Sequence, residues 1–136
     1  MKIQNAPLLI SSLANSASVF KHDSNEKLNL FFTGDWGGDV CENCFTTKYS
    51  EGVGSSMNHW AEKLNLDGIV SLGDNFYDNG VKNSDDARFE QTYLEVFKGE
   101  FLKETPFYVI AGNHDYHQNV TAQIEYKGWR VFFVDW

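Results

Sequence analysis

Three apolar runs punctuate the chain, and each ends in the same way. Leu28 to Thr33 ("LNLFFT") leads into Gly34-Asp35, Gly68 to Leu72 into Gly73-Asp74, and Phe107 to Ala111 ("FYVIA") into Gly112-Asn113-His114-Asp115. Short apolar runs closed by glycine and by Asp or Asn read as buried strands entering turns, because those side chains bond nearby backbone. Asp74 follows Asp35 by 39 residues, and Asn113 follows Asp74 by 39 again. That length suits a parallel crossover containing a helix. Helical periodicity lies where the crossovers need it. Met57, Trp60, Ala61 and Leu64 fall at i, i+3, i+4 and i+7, and Phe89, Tyr93, Val96 and Phe97 make a second stripe. Asn83 to Asp86 supply capping candidates, and a shorter third helix is expected from about Asn119. Both stripes, Met57 and Trp60 included, are expected to be core. The pattern predicts an α/β fold, β-α-β-α-β-α, with a parallel sheet. Ligands of such sheets collect at the carboxyl ends of the strands. Asp35, Asp74 and Asn113 should therefore emerge together on one edge.

Composition narrows the field. With 42% hydrophobic and 15% aromatic residues in 136, the chain has the means to fold as one domain. The formal net charge of -8 argues against nucleic acid as partner, which needs a basic stripe. It also sets a problem for any phosphate ligand, since an acidic pocket repels phosphate unless a cation intervenes. No apolar run reaches the ~18 residues a membrane span needs. Residues 1–27 carry Lys2 and then the uncharged "APLLISSLANSASVF". Two readings stand side by side there, a weak secretory signal peptide and a flexible Ser/Ala-rich leader. Cys41 and Cys44 ("CENC") cannot complete a four-ligand zinc site alone, and C-x-x-C also occurs in redox motifs. Their acidic, polar surroundings favour a surface loop, closed by a local disulfide if the protein is exported.

The groups expected at the strand ends are two carboxylates, an amide carbonyl and the phenol of Tyr77, three residues after Asp74. All are hard oxygen donors and suit hard cations. Asp74, flanked by Asp35 and Asn113, could bridge two metals; pairs roughly 3.5–4 Å apart recur in phosphoryl transfer. Other phosphate devices are missing. "GVGSSMNH" (Gly52 to His59) has Met57 in place of a third glycine and no strand directly before it, and neither a Walker lysine motif nor a G-x-S-x-G elbow occurs.

"GDWGG" (Gly34 to Gly38), "SLGDNFY" (Ser71 to Tyr77) and "AGNHD" (Ala111 to Asp115) resemble the purple acid phosphatases, in particular the small tartrate-resistant type, within the metallophosphoesterase superfamily. Of the family's five blocks, D-x-G, G-D-x-x-Y and G-N-H-D/E are present in order. The likeness runs from about Leu28 to about Tyr126 and includes "NVTAQIEY". It implies a four-layer α/β/β/α sandwich, of which 28–136 would be the N-terminal part. It implies an acid phosphatase that hydrolyses phosphomonoesters at a binuclear centre, with a metal-bound hydroxide as nucleophile. By the same resemblance Asp35 and Tyr77 would bind Fe(III), Asp74 would bridge to a second divalent metal (Fe, Zn or Mn), and Asn113 would hold that metal. His114 would contact the phosphate and help protonate the leaving alcohol, and Asp115 would orient His114. His22, His59 and His117 match no block. The Asn119-Val120-Thr121 sequon, taken with the leader, points to glycosylation at Asn119 and a secreted or endo-lysosomal location, and otherwise to the cytoplasm.

The sequence also departs from that family. Neither V-x-x-H nor G-H-x-H occurs, and "KGWRVFFVDW" (Lys127 to Trp136) matches poorly. The chain therefore reads as the N-terminal half of such an enzyme, as an incomplete gene model would give. The alternative is a non-catalytic remnant that binds metal or phosphate. A third reading, an interaction module built on Trp129, Phe132, Phe133 and Trp136, is weaker, since those residues suit an interrupted core strand. Without the histidine blocks, 1–136 alone is expected to have little activity and to leave one face or edge of its sheet uncovered.

Overall fold

The three apolar runs form one parallel sheet of β1 (Leu30–Thr33), β2 (Gly68–Ser71) and β3 (Phe107–Val109), side by side in that order. The computed structural model describes residues 27–38 and 45–128, the side chains of 45–48 excepted. The leader, Cys41, Cys44 and the aromatic tail from Trp129 lie outside the described residues. Thr33 pairs with Ser71, and Ser71 with Val109, so the strands finish level and deliver their loops to one edge.

The first crossover is α1 (Phe45–Leu64), and its packing differs from the expected stripe. Ala61 is buried and Met57 partly so, but Trp60 is 51% and Leu64 40% exposed. Gly54 explains the difference. A Cβ there would collide with the carbonyl of Val96, so the helix rides against the second crossover on a bare backbone. That contact line turns Trp60 and Leu64 outward. Asn58, on the same side, accepts from the amides of Phe101 and Leu102 at 2.9 and 3.2 Å. The helix ends at Asn65 in the left-handed region (φ 49°), with Leu66 N–H returning to Ala61 O at 3.1 Å.

Phe89, Tyr93, Val96 and Phe97 are buried as expected, yet not on an α-helix. Phe89–Leu94 is a π turn, with Glu95 N–H reaching Glu90 O at 3.0 Å. The four-residue spacing of Phe89 and Tyr93 exceeds the 3.6-residue α turn, and the wider turn keeps both on the core side, while Phe97 follows on an i to i+4 bond to Tyr93 O at 3.0 Å. Asp86 opens this segment as the sequence suggested, accepting from Lys82 N–H at 2.9 Å and Arg88 N–H at 3.0 Å. A 3₁₀ turn, Leu102–Glu104, then leads to β3. Beyond β3 come a second 3₁₀ turn, His114–His117, and α2 (Val120–Glu125), whose N-cap Asn119 accepts from Ala122 N–H.

Trp36 sits at the centre of the core. Its ring meets Phe76, Phe97 and Phe107 edge-on at centroid distances of 5.6, 5.3 and 5.9 Å. Ile69, Ser71, Phe107 and Val109 face this cluster, while Phe32 and Leu72 on the alternate positions are 64% and 57% exposed. Among the described residues, then, the sheet is closely packed on one face only.

Candidate metal centre

Both β1 and β2 hand the chain to a loop of unusual backbone. Asp35 and Asp74 both take positive φ, 55° and 52°, a region that Asp tolerates better than most side chains. Such residues persist only where their surroundings fix them, and they concentrate at functional sites. Gly112 shows how tight the fit is, because a Cβ there would occupy the space of the Asp74 carboxylate.

The backbone brings three of the expected ligands onto one another. Tyr77 Oη donates to Asp74 Oδ2 at 2.8 Å and also lies against Asp35 Oδ1. One phenolic proton cannot serve two carboxylates fully, so three hard oxygens face one another with too few protons. Asp35's hydrogen bond, then desolvation, then Asp74 hold the phenol protonated well beyond the ordinary tyrosine range. A multivalent cation reverses that balance, since it favours phenolate and carboxylates alike. The donor chemistry therefore fits a hard metal ion. Among the described residues, no three His, Cys, Asp or Glu side chains gather as a metal site, so the cluster depends on the phenol.

His114 joins the group from β3. Its N–H donates to Asp74 Oδ1 at 3.0 Å, and its ring lies 4.3 Å from that of Tyr77, centroid to centroid. Asn113, exposed, heads the 3₁₀ turn and spends no side-chain bond on capping it. Asp115 departs from the expectation that it orients His114. The His114 Nδ1 meets the carbonyl of Asp78 at 2.7 Å. The Asp115 carboxylate is fully buried and accepts from the N–H groups of Asn75, Phe76 and Gly112 and from the side chains of Asn75 and Gln123. Backbone amides of two loops out-compete an imidazole for a buried charge, because each would otherwise be left unsatisfied. Asn119 lies apart, exposed at the N-cap of α2, with Nδ2 donating to Lys82 O at 3.3 Å.

Several residues at the site escaped the sequence reading. His117 stands beside His114, rings 4.9 Å apart, and its Nδ1 shares the Asp78 carbonyl at 2.9 Å. Arg88 bonds the carbonyls of Tyr77, Gly37 and Gly38 at 2.6, 3.0 and 2.9 Å, tying the Asp35 loop to the Tyr77 loop. Nothing local in the sequence marks Arg88, which acts 50 residues away. Beside Tyr77 a polar cavity of about 400 Å³ opens, lined by Asp78, Lys82, Asp86, Arg88 and Gln118 among others. Among the described residues no helix is long and apolar enough to cross a membrane.

Comparison with known proteins names the class to which a parallel sheet delivering acids, an amide and a histidine to one edge belongs here. Residues 28–136 match the calcineurin-like phosphoesterase family, and the chain belongs to it. It is 40% identical over 120 residues to the tartrate-resistant acid phosphatase type 5 of Homo sapiens, covering 88% of this chain and 34% of that protein. To purple acid phosphatase 7 of Arabidopsis thaliana it is 34% identical over 127 residues, covering 90% of this chain and 37% of that one. Among solved structures it resembles GAP50, the anchor in the inner membrane complex of Plasmodium. The TM-score there is 0.59 at 26% identity, over 71% of this chain and 29% of the other. The chain thus spans about a third of the length of the curated relatives it matches.

Proposed function

We propose that this chain carries the N-terminal ligand set of an acid phosphatase acting on phosphomonoesters. The observation behind this is the meeting of Tyr77 with both Asp35 and Asp74 at the carboxyl ends of two neighbouring strands. Asp35, Tyr77 and Asp74 would hold Fe(III), and Asp74 with Asn113 a divalent ion (Fe, Zn or Mn). Bound there, the metals would offset the acidic field against phosphate and lower the pKa of a water. The chain's own residues do the rest. Asp74 is held by Tyr77 and by the His114 amide, one bond on each oxygen. With Nδ1 on the Asp78 carbonyl, His114 carries a proton on Nδ1 and leaves Nε2 to face substrate or leaving alcohol. Asp115 serves by holding the loops. Export, with a glycan on Asn119, is part of the same reading; Asn119 is exposed, as an acceptor must be.

Two measurements test it. Titrating Fe(III) into the chain should raise a visible phenolate-to-iron band that Tyr77→Phe lacks. Joined to a segment bearing V-x-x-H and G-H-x-H, the chain should hydrolyse an aryl phosphate at acid pH with iron plus zinc or manganese, and lose this with His114→Ala. A folded fusion with neither band nor turnover would sink the proposal. Turnover by the unextended chain would instead show that the ligand set closes without those histidines.

A further inference from the structure

Between the two loops that carry Asp74 and His114 lies a line of buried polar groups that touches none of the proposed ligands with its far end. Trp36 Nε1 donates to Ser71 Oγ at 2.8 Å, and Ser71 Oγ donates to Asn75 Oδ1 at 2.6 Å. The Asn75 side-chain amide faces Ile110 O at 3.0 Å, Asp115 Oδ2 at 3.1 Å and Gln123 Oε1 at 3.3 Å. Gln123 Nε2 closes the line on Asp115 Oδ1 at 2.9 Å. Ser71, Asn75, Asp115 and Gln123 are each 0% exposed. The Asp115 carboxylate also spans the site, taking the backbone amide just after Asp74 (Asn75) and the backbone amide just before Asn113 (Gly112, 2.8 Å).

We infer that Gln123, on α2, is a positioning residue for the metal centre. Through Asp115 and Asn75 it fixes the Asp74 loop against the Asn113-His114 loop before any ligand arrives. The physical case is one of saturation. A carboxylate in a dry interior must have its lone pairs filled, and a buried amide must use both its ends. Gln123 does both at once, with Nε2 on Asp115 and Oε1 toward Asn75. A purely apolar residue of the same size would fill the volume but remove one of the five N–H donors of Asp115 and one acceptor of Asn75, loosening both. Groups of this kind, one layer behind the ligands, typically alter metal affinity about 10- to 100-fold when removed. The inference rests on the metal reading above for its consequence, though the geometry it assigns is a property of the metal-free chain.

The test compares the full chain with Gln123→Met, and with Leu102→Ala as a core variant remote from the site and of comparable or lower stability. In the metal-free wild type, the amides of Asn75, Phe76, Gly112 and His114 should exchange slowly with solvent. In Gln123→Met these should exchange at least about tenfold faster, with the sheet amides of Ile69 and Leu72 unchanged, and Fe(III) affinity should fall about 10- to 100-fold. Leu102→Ala should keep wild-type affinity. Unchanged loop exchange in Gln123→Met, or equal loss of affinity in both variants, overturns the inference. If Gln123→Met does not fold, the wild type decides alone. Loop amides already protected without metal support the inference, and amides protected only after adding gallium(III), a diamagnetic stand-in for iron, overturn it. If the wild type takes no iron, the metal reading fails while the exchange comparison still judges Gln123.

Discussion

The two sides of this sheet obey different rules. At its carboxyl edge, Asp115 alone engages five N–H groups, and the loops holding Asp35, Asp74 and His114 are bonded to one another through it and Arg88. On the open face and the outer side of α1, Phe32, Tyr49, Val53, Trp60 and Leu72 are each more than half exposed. An apolar cavity of about 370 Å³ runs beneath that side, lined by Thr33, Trp36, Val53 and Phe97 among others. Polar groups in a low-dielectric setting must find partners within the chain, so a site built from them is closed by its own bonds. Apolar side chains lose far less when they meet water, and a surface can carry them singly. In this molecule the chemistry is held more tightly than much of the scaffold around it.

Mutations can break that contrast, and the largest effect should come from the buried hub. Asp115→Ala strands amides of two loops in a dry interior, and about 3 kcal/mol or more of stability should go with it. Chemical unfolding of the metal-free chain measures the loss; a change under about 1 kcal/mol would mean that water replaces the carboxylate easily. Gly54→Val should follow, at about 1–3 kcal/mol, because its side chain must push α1 off the Val96 carbonyl. The same unfolding experiment reads it, and Gly52→Val, where a Cβ meets nothing within 4 Å, is the comparison expected to cost less.

Smaller is the contribution of Tyr77, and it should depend on pH. Its phenol is held protonated above the unfolded value near 10, by Asp35 first, then burial, then Asp74. A raised folded pKa gives stability that is whole below about pH 10 and is lost as pH rises toward the folded value. The metal-free wild type and Tyr77→Phe should therefore differ by a constant margin in melting temperature from pH 8 to about 10, and the margin should shrink above that. A margin that widens instead would place the phenolate, not the phenol, in the metal-free site. Smallest of all, Trp60→Gln on the exposed side of α1 should shift stability by no more than about 0.5 kcal/mol. A loss of several times that would show Trp60 buried in solution.

How much of this was written in the sequence depends on the range of the interaction. The three strands and the meeting of Asp35, Asp74 and Tyr77 at one edge were legible, because each motif is local and the sheet's parallel register only has to bring strand ends level. The burial of Phe89, Tyr93 and Phe97 was legible too, since periodicity reports which face is apolar. Periodicity does not report which turn carries that face, and here the spacing of four is met by a π turn. Nor does it tell which line of α1 touches the core. That was settled by Gly54, whose missing side chain matters only because Val96 happens to face it. The role of Asp115 shows the same limit. The family resemblance implied that it orients His114, but burial put it within reach of amides from Gly112, Asn75 and Phe76, and a buried charge goes to the donors that would otherwise have none. Arg88 and Gln123, far in sequence from the loops they hold, became visible only once the chain had folded, because hydrogen bonds are chosen by distance in space and leave no periodic mark along the chain.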